Sequence, residues 1–431
     1  MPANIDFAAD RDAIRAIAFY LPQFHPIPEN DRWWGAGFTE WTNVTRARPI
    51  FTGHYQPHLP ADMGFYDLRV ADTRAKQAAL AAHYGIHGFC YYYYWFSGKR
   101  LLETPVESMR ASGEPDFPYC LCWANENWTR RWDGADKEIL IAQNPSRADD
   151  ERLIRDLLPH FRDPRYIRVG GKPLFIVYRI GVLPDVTATA VLWREVARRE
   201  GIGELYLCAA KTYDTGDPTY YGFDAVVEFP PHGLRTVTMH EQLELLDPGF
   251  SGTVVDYRQF VVDCITAREP SYTLHRTVMP GWDNTARRMH QALVFAHATP
   301  EVYELWVREV AAETRRKPPG ERLLFINAWN EWAEGAHLEP DRRFGHQYLE
   351  ATARARLRQR AECSGGIGTG HGAAPGHRVG DVIVPAAVMS PADRSTPLYS
   401  ASAAWSASRE RSPRCSVTCP ECDQPLKRST T

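Results

Sequence analysis

The chain has 431 residues and a formal net charge of −3, from 50 Lys and Arg against 53 Asp and Glu. This balance excludes the basic surface that nucleic acids need, and no apolar run is long enough to predict a transmembrane segment. Aromatic residues make up 12% of the chain, with 13 Trp and 20 Tyr. Such a content is typical of carbohydrate-handling proteins, because aromatic faces stack on sugar C–H surfaces, and it also suits a large aromatic core.

The N-terminus and the cysteines both favour a cytoplasmic protein. The first 15 residues, MPANIDFAADRDAIR, carry acids early and lack the apolar segment of a secretory signal, so residues 1–15 are predicted to be a polar lead. Five of the nine cysteines lie in or near apolar stretches and are predicted to be small buried residues of a reducing compartment. These are Cys90, Cys120, Cys122, Cys208 and Cys264.

Eight apolar strand candidates alternate with helical patterns across residues 16–360. The alternation predicts an α/β fold, a (β/α)8 or TIM barrel, whose catalytic groups come from the carboxyl ends of several strands. The predicted strands are Ala16–Phe24, Gly85–Phe96, Phe117–Asn125, Lys172–Arg179, Glu204–Lys211, Asp224–Phe229, Thr273–Met279 and Leu323–Asn327. The predicted helices are Val70–Tyr84, Asp149–Phe161, Thr187–Glu200, Val255–Ala267 and Pro300–Arg316.

Polar residues follow nearly every predicted strand. In a barrel the carboxyl ends of all eight strands meet at one mouth. A doubly wound sheet would also alternate with helices, but it usually gathers its ligands at one switch point, so the barrel is favoured. The residues at these strand ends are His25, Trp95, Asn125, Glu126, Tyr178, Lys211, Glu228, Asp283 and Glu331.

A long segment, residues 25–67, separates the first strand from the first helix and is predicted to be a loop. A loop of that length inside a compact domain is either functional or wrongly assigned. Its aromatic content favours function. The side chains that draw attention are Trp33, Trp34, Glu40, Trp41 and Asn43.

The second predicted strand contains four tyrosines followed by a tryptophan, YYYYW. Alternation along a strand sends half of these side chains to each face, and buried tyrosines need partners for their hydroxyl groups. We expect Tyr92, Tyr94 or Trp95 near the site, and parity alone does not choose among them.

The last predicted strand runs into a polar and aromatic segment, LLFINAWNEWAEGAHLEPD. Carboxylates next to indoles are a common lining of sugar sites, because carboxylates transfer protons. Glu331 and Glu334 are three residues apart, so a continuing strand would place them on opposite faces. The chain must therefore curl after Glu331 if both acids serve one pocket. The alternative is that both are solvated loop acids.

The composition changes to Gly, Ser, Pro and Arg from residue 361, and residues 361–431 are predicted to be a disordered tail. The tail contains C-x3-C-x2-C at Cys415, Cys419 and Cys422. A structural zinc site needs four ligands, and the nearest histidines, His371 and His377, are distant in sequence. We therefore predict no metal site.

Five separated stretches carry a resemblance that spans residues 16–350. They are Tyr20–His25 (YLPQFH), Trp33–Trp41 (WWGAGFTEW), Cys122–Trp128 (CWANENW), Pro280–Arg287 (PGWDNTAR) and Trp329–Pro340 (WNEWAEGAHLEP). In these stretches the chain resembles the WbsX-type proteins, a bacterial family named as glycosyltransferases of polysaccharide gene clusters. That family is in turn similar to the family 99 glycoside hydrolases, the endo-α-mannosidase and endo-mannanase group.

The resemblance implies a (β/α)8 barrel with two catalytic glutamates. Glu331 would be the base that removes the proton of the sugar 2-hydroxyl, so that O2 attacks the anomeric carbon and forms a 1,2-anhydro sugar. Glu334 would protonate the leaving oxygen and then activate water. In the usual retaining scheme the second carboxylate is itself the nucleophile. Glu334 then needs a raised pKa and Glu331 must stay ionised, and neither a metal nor another cofactor is required.

The predicted substrate-binding residues come from the same stretches and strand ends. Five of them fall where the resemblance implies sugar-contacting groups: Tyr20, Trp95, Glu126, Tyr178 and Asp283. The other six are His25, Trp41, Asn125, Trp282, Asn330 and Trp332. The Trp-rich segment departs from the hydrolase pattern, so the resemblance does not carry the mannoside specificity with it.

Three functions remain open from the sequence. The first is a retaining endo-type glycoside hydrolase or transglycosylase acting on bacterial cell-surface polysaccharide or its precursors. The second is a glycosyltransferase of O-antigen or capsule (lipopolysaccharide) biosynthesis. The third is a carbohydrate-binding barrel without catalysis, against which the presence of both glutamates argues. Each predicts an oligosaccharide or polysaccharide partner and no nucleic acid.

Overall fold

The computed structural model describes residues 14–130, 135–212, 216–232, 238–239, 242–364, 377–379 and 382–384. The start of the predicted polar lead and nearly all of the predicted tail, with Cys415, Cys419 and Cys422, lie outside these ranges. Within them, no helix combines the length and the apolar character that crossing a membrane requires.

The strands in chain order are β1 Arg15–Tyr20, β2 Gly88–Phe96, β3 Lys99–Leu101, β4 Tyr119–Trp123, β5 Trp128–Arg130, β6 Ala135–Ile141, β7 Arg168–Val169, β8 Lys172–Val177, β9 Tyr206–Lys211, β10 Ala225–Glu228, β11 Thr253–Asp256, β12 Leu274–His275, β13 Thr277–Val278, β14 Leu293–Ala296, β15 Leu323–Ile326, β16 Asn330–Glu331, β17 Ala336–His337, β18 His377–Val379 and β19 Val382–Val384. The helices are α1 Pro28–Trp34, α2 Glu40–Arg46, α3 Ala71–His83, α4 Thr104–Ser112, α5 Arg147–Arg162, α6 Val186–Arg199, α7 Tyr257–Thr266, α8 Thr285–Arg288, α9 Pro300–Arg315 and α10 Gln347–Ser364.

The barrel wall has eight parallel strand positions, which we call staves, and each overlaps one predicted strand. They follow the order β1, β2, β4, β8, β9 and β10, then β12 with β13, then β15, which pairs with β1. The seventh stave is divided, because β12 pairs with β10 and β13 pairs with β15. The predicted (β/α)8 barrel is therefore confirmed, with one strand, Thr273–Met279, split into two dipeptides.

The split lies at Arg276, whose side chain is buried. Its guanidinium donates to Glu228 of β10 at 2.8 Å and to Glu313 of α9 at 2.5 Å. A third donor group contacts the carbonyl of Cys264 in α7 at 2.7 Å. A buried cation is tolerated because these acceptors compensate its charge. Arg276 thereby joins the divided stave to helices α7 and α9.

Most residues of the barrel strands are buried. Every residue of β2, β4 and β15 is buried, as is all of β1 after its first residue. Continuous burial is what a parallel strand shows when the barrel interior covers one face and the helices cover the other. The apolar runs in the sequence were informative for this reason.

Several barrel helices begin at a side chain that caps them. Ser146 accepts a hydrogen bond from the third residue of α5, and Asp185 does the same for α6. Thr299 caps α9, which also has Pro300 in its first turn. Such caps satisfy backbone N–H groups that a helix start leaves unpaired.

The predicted loop at residues 25–67 is wrong in part, because it contains α1 and α2. Both are seven residues long, so periodicity gives little signal for them. Trp41 holds α2 in place: its indole N–H donates to the Tyr66 carbonyl at 2.9 Å, and its ring lies 4.5 Å from Phe24. Tertiary packing rather than helix propensity fixes this segment over the barrel mouth.

Candidate active site

The segment after β15 curls back on itself. The chain passes from β16 through a 3-10 turn at Trp332–Glu334 to β17, which pairs antiparallel with β16. Gly335 ends the turn with a φ of 60°, a left-handed conformation that favours glycine. A Cβ atom at Gly335 would also lie 3.0 Å from the backbone nitrogen of Asp283. The predicted curl after Glu331 is therefore present.

One buried guanidinium, that of Arg287, contacts three carboxylates. Its Nε donates to Glu40 at 2.9 Å, its Nη1 to Glu334 at 2.5 Å and its Nη2 to Glu331 at 3.1 Å. Arg287 lies in α8 and Glu40 is the first residue of α2. We call these four residues the Arg287 cluster. Both predicted catalytic glutamates thus contact the same group at the barrel mouth.

The two predicted catalytic glutamates differ in burial. The side chain of Glu331 is 6% exposed and that of Glu334 is 21% exposed. Burial raises the pKa of Glu331, the Arg287 cation lowers it, and the charges of Glu334 and Glu40 raise it again, with a net rise. The resemblance led us to expect a raised pKa for Glu334. The structure gives a raised pKa to Glu331, because Glu331 is the more buried acid.

Asp283 fixes the segment that presents Arg287. Its Oδ2 accepts from His54 Nε2 at 2.6 Å and from Gln56 Nε2 at 2.7 Å, and its Oδ1 accepts from the backbone N–H of Thr285 at 2.9 Å. Burial disfavours the charge of Asp283, but the contacts with His54 outweigh it, and the pKa is lowered overall. Its own N–H donates to the Glu334 carbonyl at 2.6 Å.

A fully buried carboxylate, that of Glu339, lies in a second polar cluster beside the first. Its Oε1 accepts from Gln77 at 2.6 Å and Trp329 at 2.9 Å, and its Oε2 accepts from Tyr66 at 2.7 Å and Trp332 at 2.8 Å. Burial raises its pKa to about 7, against the effect of the four donors. We call these five residues the Glu339 cluster. Each carboxylate oxygen of Glu339 accepts hydrogen bonds from two neutral donors.

A cavity of about 410 Å³ opens over the ends of β4 and β8. Asn125 shapes it by bridging the backbone of Arg179, accepting from its N–H at 2.8 Å and donating to its carbonyl at 2.8 Å. Glu126 pairs with the Arg179 side chain at 2.8 Å. Two indoles and several amides supply the surfaces that bind sugars. Among the lining residues are Gln23, Trp34, Asn125, Glu126, Trp128 and Arg179.

The ionisation of Tyr94 is influenced by Glu331 of the Arg287 cluster and by Gln23 of this cavity. Burial raises the pKa of its hydroxyl, the charge of Glu331 raises it further, and a hydrogen bond with Gln23, which lines the cavity, lowers it. Tyr92, on the same face of β2, also has a pKa raised by burial and by Glu331. The structure thus resolves the alternation that the sequence left open, and places Tyr92 and Tyr94 toward the glutamates.

Two predicted substrate-binding residues do not join the Arg287 cluster. The Tyr20 hydroxyl donates to Gln77 at 2.6 Å, and the Trp95 indole donates to Asp149 of α5 at 3.1 Å. His25 is 1% exposed, and burial lowers its pKa to about 4. Sugar contacts by these side chains stay predictions.

Three other predicted residues hold the mouth together. Asn330 accepts from the Leu21 N–H at 2.7 Å and donates to the Leu21 carbonyl at 3.0 Å. The Trp41 and Trp332 rings lie 5.7 Å apart. These contacts join α2, the end of β1 and the curled segment.

The remaining predicted residues line cavity walls or lie near them. Trp282 and Asp283 line a second cavity of about 880 Å³, whose wall includes Gly335 and His337 of the curled segment. The Tyr178 hydroxyl lies 3.2 Å from His232 Nε2.

Sequence reasoning did not select Arg287, Glu40 or Gln23 as site residues. Arg287 ends the PGWDNTAR stretch and Glu40 lies in the Trp-rich segment, so both were within quoted motifs. The available signal was electrostatic: two glutamates packed into one pocket need a nearby cation.

Comparison with known proteins agrees with the fold. The family model described as Glycosyltransferase WbsX matches residues 16–352. Two proteins of Xanthomonas campestris pv. campestris strains, both described as uncharacterized protein WxcX, are 49% identical over 343 residues. The match covers 79% of this chain and 49% of each relative, so the chain spans about half the length of these curated relatives.

Among solved structures, the GH99 endo-alpha-mannosidase from Bacteroides thetaiotaomicron aligns with a TM-score of 0.52 and 14% identity, covering 83% of this chain and 99% of that one. A glycoside hydrolase-like protein aligns with a TM-score of 0.51 and 14% identity, covering 83% and 97%. At this identity the likeness bears on the fold alone.

Proposed function

The chain belongs to the WbsX glycosyltransferase family, and from that premise we propose that it is an enzyme acting on the glycosidic bonds of bacterial surface polysaccharide or its precursors. We propose Glu331 and Glu334 as its catalytic pair, in a retaining, endo-type hydrolase or transglycosylase. The observation that carries the proposal is the contact of both carboxylates with one guanidinium, Arg287, at the carboxyl end of the barrel. Catalytic groups of barrel enzymes occupy this end.

The first half of the proposed reaction forms a 1,2-anhydro sugar. Glu331 takes the proton of the sugar 2-hydroxyl, and the O2 electron pair forms a bond with C1. The bond from C1 to the leaving oxygen breaks, and Glu334 gives its proton to that oxygen. The 2-hydroxyl must be trans to the leaving group for O2 to attack C1 from the opposite face.

The second half opens the three-membered ring. Glu334, now ionised, takes a proton from water or from an acceptor hydroxyl, and the oxygen of that group bonds to C1. The C1–O2 bond breaks, and O2 recovers its proton from Glu331. Two inversions at C1 give net retention, and the choice between water and an acceptor sugar decides between hydrolysis and transfer.

Arg287 serves this chemistry as a positioning residue. Burial favours the protonated form of Glu331, whereas a base must be ionised when substrate arrives. The Arg287 cation opposes that effect of burial. A carboxylate with a raised pKa is also the stronger base once it is ionised, so the burial of Glu331 and the charge of Arg287 together suit proton removal from a hydroxyl group.

The proposal is tested by the variants Glu331→Gln and Glu334→Gln. The control is Glu350→Gln, which makes the same chemical change at a side chain of α10 that is 42% exposed. We expect each active-site variant to fold, by circular dichroism, and to lose at least about 100-fold in kcat against a panel of α-mannosides, α-rhamnosides and bacterial polysaccharides. Substrates whose 2-hydroxyl is replaced by hydrogen should not react with the wild type. Full turnover by both variants contradicts the proposal.

A glycosyltransferase is the second candidate, and the description of the family favours it. It requires an activated sugar donor, which the retaining hydrolase does not. Calorimetry with a panel of sugar nucleotides, followed by transfer to an acceptor glycan, separates the two. Donor binding and transfer would establish the second candidate, and no binding across the panel would exclude it. Glycan binding without any turnover by the wild type would leave only a binding barrel.

A further inference from the structure

Two imidazoles and a carboxylate converge on the wall of the 880 Å³ cavity, outside the Arg287 cluster. His58 Nδ1 lies 2.9 Å from His337 Nε2, and His337 Nε2 lies 4.0 Å from Asp341 Oδ2. One nitrogen or oxygen from each side chain lies within 4.8 Å of the others. All three side chains line the cavity. The ligands come from two chain segments that are distant in sequence.

Each of two ligands has its other polar atom fixed by the backbone. His337 Nδ1 lies 3.0 Å from the Glu339 carbonyl, which requires that Nδ1 carry the proton and leaves Nε2 with a lone pair. Asp341 Oδ1 accepts from the N–H groups of Arg343 at 3.0 Å and Phe344 at 2.6 Å, and Oδ2 is directed at His337. Contacts of this kind orient metal ligands in proteins.

Two of the three side chains are buried. The side chain of His337 is 5% exposed. Asp341 is 3% exposed, and the buried carboxylate of Asp283 lies close enough to influence His58. The His337 ring is held by stacking on Trp332, with ring centres 3.9 Å apart. A divalent cation would satisfy this negative, preoriented group.

We propose that His58, His337 and Asp341 bind a divalent transition-metal ion of the Zn²⁺ type. Imidazole with carboxylate suits zinc and its neighbours better than Mg²⁺ or Ca²⁺, which prefer oxygen ligands. Zn–N distances of about 2.0–2.1 Å and tetrahedral angles place two ligand nitrogens about 3.3 Å apart, so the 2.9 Å pair needs only a small adjustment.

The metal replaces the hydrogen bond between His58 Nδ1 and His337 Nε2. His58 then carries its proton on Nε2, and both rings stay neutral. Three protein ligands leave a fourth position, which faces the cavity and takes water or a ligand oxygen.

The ion would also join two segments of the barrel mouth. Backbone hydrogen bonds already connect these segments, from Ala61 N–H to the Pro340 carbonyl at 2.9 Å and from Arg342 N–H to the Leu59 carbonyl at 3.0 Å. His54 and Gln56, which hold Asp283, lie just before His58. The inference does not depend on the proposed reaction, because its measurement is metal binding itself.

The full chain is stripped with a chelator, dialysed, and titrated with Zn²⁺ and with Co²⁺. We expect one ion per chain by elemental analysis, a rise of a few degrees in Tm, and a Co²⁺ visible spectrum of tetrahedral type without a thiolate charge-transfer band. His58→Gln and Asp341→Asn should each lower the affinity by at least about 100-fold while leaving the metal-free Tm close to that of the wild type.

Two controls separate this site from other ligands. A variant with serine at Cys415, Cys419 and Cys422 removes the tail thiols and should still bind one ion. His346→Gln changes a histidine that pairs with Asp62 in the same region and should bind as the wild type does. A wild type that takes up less than a tenth of an equivalent, or binding that survives in both ligand variants, overturns the proposal and leaves only a hydrogen bond between two histidines.

Discussion

The Arg287 cluster and the Glu339 cluster lie side by side and share the segment from Trp329 to Glu339. They differ in the partners that they give to their carboxylates. In the Glu339 cluster one carboxylate accepts four hydrogen bonds from neutral donors. In the Arg287 cluster three carboxylates contact one cation. Both oxygens of Glu339 therefore have their hydrogen-bond donors. The four residues of the Arg287 cluster comprise three acidic groups and one basic group.

The contrast separates an acid with a structural role from the two acids that we propose to be catalytic, within a single motif. A carboxylate with four donors has no lone pair left for a substrate, and it stabilises the positions of the indoles around it. A carboxylate that shares one guanidinium with two others has a pKa that depends on the charges of its neighbours. Residue type alone does not distinguish Glu339 from Glu331, whereas the hydrogen-bond partners do.

The largest expected effect is that of Arg287→Gln, which removes the guanidinium that contacts three carboxylates, two of them buried. We expect the free energy of unfolding at neutral pH to fall by about 3–5 kcal/mol. Urea unfolding followed by Trp fluorescence measures the difference.

Arg155→Gln is the matched control for that change. Arg155 also contacts two carboxylates, Glu151 at 2.9 Å and Glu200 at 3.1 Å, but on the surface, with 44% of its side chain exposed. Exposed ion pairs contribute little because water and salt screen them. If Arg155→Gln cost as much stability as Arg287→Gln, burial would not be what makes the Arg287 cluster different.

The second test uses pH and the Glu339 cluster. The pKa of Glu339 is raised from 4.5 to about 7 in the folded chain. Between these pH values the folded chain holds a proton that the unfolded chain has released, so this group makes stability fall as pH rises. At about 1.4 kcal/mol per pKa unit the loss amounts to at most about 3 kcal/mol.

Glu339→Gln removes the titration while keeping the shape. The stability of the wild type relative to this variant should therefore decrease from pH 4.5 to pH 7, as measured by urea unfolding at half-unit steps. A difference that stays constant or increases over this window would show that the four donors keep Glu339 ionised at all these pH values.

The smallest test removes single donors from the Glu339 cluster. Trp332→Phe and Trp329→Phe each delete one indole N–H, which donates to opposite oxygens of Glu339 at 2.8 Å and 2.9 Å. Each should cost about 1–2 kcal/mol of unfolding free energy. If both cost the same stability but only Trp332→Phe impairs turnover, Trp332 contacts substrate as the sequence predicted. Equal effects on turnover would assign both indoles to support of the mouth.

The barrel could be predicted because its physics is local in sequence. Staves covered on both faces are continuous apolar runs, and polar residues begin where each stave reaches the mouth. The seventh stave was recognised as one run, but the interruption at Arg276 depends on Glu228 and Glu313, which no pattern around residue 276 reveals. Helix α2 was missed because Trp41 packing holds it.

The proposed catalytic pair was predicted from two acids in one motif, but the cation that contacts both was not. Arg287 is 44 residues before Glu331 in the chain, and only the fold brings them together. Tyr20 and Trp95 were selected because the resemblance implies sugar-contacting groups there, but the register of the alternation along each strand decides which face such a side chain takes. The same alternation turned Tyr94 toward Glu331, and a strand sequence without a known register cannot supply that choice.

The divided stave at Arg276 is also where we expect local opening of the barrel wall to begin. Two residue pairs join β12 to β10 and two join β13 to β15, so this stave has the fewest backbone bonds to break when the wall parts. Local opening begins where such bonds are few, and the ion pairs of Arg276 with Glu228 and Glu313 oppose it. Because β13 leads to Asp283 and α8, we expect opening of this part of the barrel to displace the segment that carries Arg287.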